Sequence, residues 1–151
     1  MKKPGLVLLI SALIFLLSGC GAELGALRTQ RIAQSLVRAG NIRSLALCAD
    51  AKALYGLAEG EVCAYTARWA LDADEVAVFA CPDEASLSRA KLAVSEHLRA
   101  QMEKYRDSAP ELYARLADAR FGQKGKWYYL IVAEKKSADA AEKRMESLAS
   151  D

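Results

Sequence analysis

Apolar positions along the chain follow three patterns, and each predicts a different kind of element. The first is an almost unbroken apolar run from Leu6 to Leu17, preceded by Lys2 and Lys3 and closed by Leu17-Ser18-Gly19-Cys20. The second is the 3.6-residue helical period. It is clearest in the stretch after Pro82, where Leu87, Ala90, Val94, Leu98, Gln101 or Met102, and Tyr105 recur on one side and His97 sits at the flank of the stripe. It is looser between Leu24 and Leu36, where Leu24, Leu27, Ile32 and Leu36 lie near one side and Gly40-Asn41 supplies a stop. The third is the two-residue period of strands. From Val62 to Trp69, Cys63, Tyr65, Ala67 and Trp69 share one face, while Ala64, Thr66 and Arg68 share the other. Glu75 to Cys81 and Trp127 to Val132 are apolar on both faces, as strands inside a sheet are.

Punctuation divides these patterns into units. Asp72-Ala73-Asp74 and Gln123-Lys124-Gly125 read as hairpin turns, and Pro82 ends the second strand. Asp83 and Glu84 suit the positive start of the long helix. Ser108 and Glu111 have capping-box spacing for a shorter helix, and Ser137 caps a last helix carrying Ala141, Met145 and Leu148. Ala49 to Tyr55 reads as one or two helical turns ended by Gly56, with Gly supplying a positive φ. The predicted fold is α+β: a small antiparallel sheet from two β-hairpins, each followed by a helix, with N-terminal helix or helices packed on it. The two hairpin–helix halves suggest a coarse repeat, although their residues match poorly.

The apolar run near the start changes the picture of where the protein resides. About a dozen apolar residues fall short of the ~20 that span a bilayer, and a basic start before a short apolar core is the pattern of a secretory signal. Leu17-Ser18-Gly19-Cys20 resembles the lipobox of bacterial lipoproteins. That resemblance implies cleavage between Gly19 and Cys20, a diacylglycerol thioether on Cys20, and a lipid-anchored protein on the extracytoplasmic face of the cell membrane. The expected division is a signal at residues 1–19, a lipidated N-terminus and short tether at 20–29, and one domain at 30–151.

Charge and cysteine content narrow the function classes. Of 21 basic side chains the signal removes Lys2 and Lys3, leaving 19 against 19 acidic ones. A formally neutral domain has no electrostatic footprint for nucleic acid. Once Cys20 is lipidated, Cys48, Cys63 and Cys81 remain, at spacings that fit neither a zinc site nor a thioredoxin-like motif. If Tyr65 pairs with Phe79 across the first hairpin, Cys63 faces Cys81. A disulfide there is possible but strained, because opposed strand residues hold Cβ atoms ~4.5–5.5 Å apart and a disulfide prefers ~3.8 Å. Two small buried residues are the other reading. Lys124, Lys126, Lys135 and Lys136 make the ends of the second hairpin basic, as a solvated sheet edge is, or as a surface attracted to anionic lipid would be.

Several segments together resemble a known family. Leu54-Tyr55-Gly56, Asp72 to Phe79, Gln101 with Ala109-Pro110-Glu111, and Gly125 to Lys135 follow in order behind the lipobox. Between about Ile32 and Leu148 the chain is similar to small bacterial lipoproteins catalogued as domain of unknown function 4358. Members usually carry an aromatic before the Ala-Pro, where this chain has Ser108. The resemblance implies an outer-face location and no particular reaction.

No catalytic constellation emerges from the residues. His97 is the single histidine. It reads as a boundary residue of its helix, because a nucleophile–base pair needs it beside Cys or Ser and zinc needs further ligands at suitable spacing. Asp72, Asp74 and Glu75 read as a solvated turn, since calcium wants more oxygen ligands and a tight Gly loop. Gly-x-Ser-x-Gly, Ser-x-x-Lys, phosphate-loop and His-Glu-x-x-His motifs are missing from the sequence. The expected function is a non-enzymatic binding or accessory module of the cell envelope, with no cofactor or metal. Its contacts would be membrane lipid through Cys20 and an envelope protein. The alternative is a small-ligand receptor lipoprotein serving transport.

Overall fold

The computed structural model describes residues 20–69 and 71–148. The expected signal segment lies outside the described residues. The first described element, α1, spans Cys20–Ala39, so the stretch expected to be a tether is helical from Cys20 onward. There follow β1 (Leu45–Leu47), α2 (Ala51–Leu54), β2 (Glu61–Ala67), β3 (Glu75–Ala80), α3 (Glu84–Tyr105), α4 (Pro110–Ala117), β4 (Arg120–Lys124), β5 (Trp127–Val132) and α5 (Lys135–Leu148). The five strands form one antiparallel sheet in the order β1-β2-β3-β5-β4. The predicted α+β class and the two hairpins hold; β1 is an addition. Among the described residues no helix is long and apolar enough to cross a membrane.

Helices cover both faces of the sheet. On one, α2, α3 and α4 pack Ala51, Leu87, Val94, Leu98 and Leu116 against Ala77, Phe79, Tyr128, Leu130 and Val132. On the other, α1 and α5 pack Ala33, Leu36, Ala138, Ala141 and Met145 against Val76, Val78, Tyr129 and Ile131. This is why β3 and β5 are apolar at every position: each alternate side chain enters a different core. It also rules out a symmetric repeat, since the helix after the first hairpin lies on one face and the helix after the second lies on the other. The buried stripe of α1 is Thr29, Ala33 and Leu36, whereas Leu27 is exposed.

The register decides which residues meet. Cys63 pairs with Val78, Tyr65 with Val76 and Thr66 with Glu75. This is offset by three residues from the pairing that would oppose Cys63 to Cys81. An odd offset turns one strand over relative to the other, so Cys63 enters the α1/α5 core and Cys81 the α3 core. Both are free thiols, so the strained disulfide does not form and the two are small buried residues, the other reading of the sequence. The offset arises because the chain beyond Ala67 stays with β1: the Arg68 N–H donates to the Ser44 carbonyl at 3.0 Å. The connection to β3 is therefore wider than a tight hairpin turn.

Local chemistry sets the helix ends. The Asp83 carboxylate accepts from the Ser86 N–H at 2.7 Å, and the Ser86 hydroxyl accepts from the Asp83 N–H at 3.2 Å, a reciprocal cap on α3. Ser108 does not cap α4; its hydroxyl donates to the Lys104 carbonyl, and Pro110 opens the helix with Ala109 as its N-cap. The helix α5 begins two residues before Ser137, at Lys135. Asn41 takes the left-handed conformation after α1 (φ 52°), and Gly56 does so after α2 (φ 62°), the latter as predicted. The second hairpin turns at Gly125-Lys126, two residues between Lys124 and Trp127.

The helix α1 runs along the sheet from pole to pole. Near its start, Gly25 lies so close to Glu61 that a Cβ would collide with the carboxylate, and Glu61 opens β2. Near its end, Gly40 lies under the Ser137 carbonyl, beyond the end of β5. Cys20 is thus at the pole where β2 and β5 begin, and the β2–β3 connection is at the opposite pole. The four lysines of the second hairpin's flanks are split in the same way, with Lys124 and Lys126 near the Cys20 pole and Lys135 and Lys136 at the other.

Candidate functional site

At the pole away from Cys20, three polar residues from three elements meet beneath the β2–β3 connection. Glu75 opens β3 and points into the α3 core instead of forming part of a solvated turn; it is 6% exposed. Tyr55 ends α2, where Gly56 turns the chain away and leaves the ring buried against Phe79, centroids 4.9 Å apart and edge-on. His97 comes from the middle of α3 and is 9% exposed, so it is a core residue and not a boundary one. The Tyr55 hydroxyl donates to Glu75 Oε1. His97 Nε2 lies 2.8 Å from Glu75 Oε2. The Tyr55 and His97 rings are 4.6 Å apart, so the triad is closed on itself.

The physical logic is mutual satisfaction. A buried carboxylate is costly unless both oxygens find donors. Here one oxygen takes the phenol and the other takes the imidazole. Acceptance by an ionised Glu75 requires the hydrogen on His97 Nε2. Among the described residues Nδ1 has no protein partner, and His97 borders a cleft of about 240 Å³. Burial first, and the Glu75 carboxylate second, push the Tyr55 phenol well above its ordinary pKa, which keeps it a donor.

The cleft lies between the β2–β3 connection, the last turns of α3 and the end of α4. Glu75 and His97 form part of its floor, with Cys48, Gln101 and Lys104 beside them. Its rim is the connection itself, where Trp69 is 71% exposed and Leu71 is 85% exposed. Arg115 of α4 fixes that connection. One guanidinium nitrogen donates to Asp72 at 3.2 Å and to Asp74 at 2.9 Å, while Asp72 also accepts the Asp74 N–H at 3.1 Å. Burial and the neighbouring Asp72 raise the Asp74 pKa against the lowering influence of Arg115.

Sequence reasoning had picked out the members of this cluster singly. Tyr55 is legible as a helix end, Asp72, Asp74 and Glu75 as a turn, and His97 as a boundary residue of its helix, but none of these readings joins them. A signal was available. Glu75 is the lone acid heading an apolar strand, and His97 falls between Val94 and Leu98 on an apolar stripe. Two polar residues aimed into one core must partner something. Cys63 and Cys81 lie in the two separate cores, and Cys20 stands at the far end of α1.

Fold and cleft together define a small three-layer α+β domain with a buried polar network in one of its two cores, at the floor of the cleft. The chain belongs to the family described as Domain of unknown function (DUF4358), whose sequence model matches residues 41–133. The match takes in all five strands with α2 to α4 and leaves α1 and α5 outside it. No curated protein and no solved structure matches the chain.

Proposed function

We propose that the protein is a bacterial lipoprotein anchored through Cys20 at the extracytoplasmic face of the cell membrane, acting as a non-enzymatic binding module for another envelope protein. The observation that carries this reading is polar: α1 starts at Cys20 and ends beside the pole that bears the cleft. A helix of 20 residues is about 30 Å long at ~1.5 Å per residue. A lipid on Cys20 would therefore hold Trp69 and Leu71 well clear of the bilayer, facing soluble domains. Exposed large apolar side chains at a rim are characteristic of protein contacts. Both Glu75 oxygens are engaged inside the fold, which favours a structural over a proton-transferring carboxylate.

The test places a photo-activatable side chain at Trp69 in the full chain and irradiates intact cells. A discrete protein adduct that disappears in Cys20→Ala supports the reading. Adducts with lipid alone overturn the orientation, and a Cys20→Ala protein that stays in the membrane fraction overturns the anchor. The cleft itself favours the second reading, a receptor for a small solute. Its volume of about 240 Å³ lies below the ~300–1,000 Å³ of common ligand sites, so that solute would be a small one. A saturable rise in melting temperature with one metabolite, and no protein adduct, would select it.

A further inference from the structure

The sheet has a second unfilled feature, at its opposite edge. Among the described residues strand β4 pairs with β5 alone, and the two-residue loop Gly125-Lys126 makes Lys124 and Trp127 a hydrogen-bonded pair. In an antiparallel ladder such pairs alternate with non-bonded ones. Gly122 with Tyr129 and Arg120 with Ile131 are therefore bonded, and Phe121 and Gln123 turn their N–H and C=O groups outward, away from β5. Their side chains share the face covered elsewhere by α3 and α4. That cover stops short: Phe121 is 54% exposed and borders a groove of about 400 Å³ with Met102, Tyr113 and Tyr128. The charged residues of the groove are Lys91, Arg99, Arg106 and Glu103. Glu103 is paired with Arg106 at 2.7 Å, which among the described residues leaves Lys91 and Arg99 as the groove's charges outside any ion pair.

We infer that the β4 edge is a docking site for an extended acidic segment of a partner protein, added to the sheet as an antiparallel or parallel sixth strand. The main-chain groups of Phe121 and Gln123 supply the ladder bonds. Alternate apolar side chains of the incoming segment pack on Phe121, Met102 and Tyr113. Its acidic side chains meet Lys91 and Arg99, the charge complement of this rim. The site is independent of the cleft beneath Trp69 and of the anchor at Cys20.

The probe is a short fluorescein-labelled peptide alternating Glu with Val, titrated into the full chain in neutral detergent and read by anisotropy. Its counterpart alternating Lys with Val is the control. Saturable binding of the acidic peptide is expected, weakened by salt, with new hydrogen-exchange protection at the Phe121 and Gln123 amides. Gln123→Pro removes an outward donor and spares the bonds to β5. It should weaken binding by up to about tenfold, the worth of one hydrogen bond. Lys91→Glu with Arg99→Glu changes exposed positions only, and should abolish the preference for the acidic peptide. Failure of the acidic peptide to bind, equal binding of the basic one, or binding unchanged in both variants would each overturn the inference.

Discussion

The two faces of this sheet share the same strands and differ in what they bury. The α1/α5 face is mostly aliphatic, with Tyr129 as its buried phenol: Leu36, Val76, Val78, Ile131 and Met145 are shut off from solvent, and Thr29 satisfies its hydroxyl on the Gly25 carbonyl within its own helix. The α2/α3/α4 face contains a carboxylate, an imidazole and a phenol bound to one another. An aliphatic core tolerates small rearrangement, because dispersion and burial are not directional. A polar network does not, because each member depends on the geometry of the others. The difference places shape-keeping on one face and the candidate site on the other, where a fixed floor is useful.

The largest effect should come from challenging both cores at once. Leu130 and Ile131 are adjacent in β5, wholly buried, and point in opposite directions. Each change to Ala should cost about 2–5 kcal/mol, read from urea midpoints. The double variant should cost about the sum of the single ones, because the two side chains have separate cores around them. Strong coupling would mean that the two cores act as one. The next effect is specific to the polar face. Glu75→Leu orphans the Tyr55 hydroxyl and the His97 ring nitrogen, at about 1–3 kcal/mol each. Adding Tyr55→Phe and His97→Leu should restore much of the loss, whereas a triple variant no better than the single would show that the network is not the cause. The smallest effect is a pH slope on the aliphatic face. Tyr129 donates to Glu142 at 3.1 Å. Burial, then the Glu142 carboxylate, pushes its pKa up to about 12 from the usual 10.0. Its folded value is the higher one, so its contribution is complete below about pH 10 and is lost as pH climbs towards 12. Tyr129→Phe should flatten that alkaline decline in melting temperature, and an unchanged slope would remove Tyr129 from the account.

Elements with a strong period were legible in the sequence, and those defined by distant contacts were not. The strands β3 and β5 announced themselves as interior because both of their alternating sets are apolar, and α3 did so through Leu87, Ala90, Val94 and Leu98. Strand β1 has three residues, too few to display alternation, and it is a strand because Tyr65, Thr66 and Ala67 at the end of β2 pair with it. The register was misjudged for the same reason. Nothing local says that Arg115 will hold Asp72 and Asp74 from more than 40 positions away. The triad posed the same difficulty: Tyr55 to Glu75 is 20 residues and Glu75 to His97 is 22. Each polar residue was visible, while the partner that makes its burial affordable was supplied by the topology.

The family match runs from residue 41 to residue 133 and so stops at both ends short of the helices that cover the aliphatic face. Excised at those limits, the segment would carry Val76, Val78 and Ile131 as a bare wall. The helices α1 and α5 come from opposite ends of the chain, and Arg144 on α5 donates to the Ser35 hydroxyl on α1 at 2.8 Å. They form a clasp that closes only once α5 has been made. The stretch recognisable by kinship is therefore smaller than the unit that can fold.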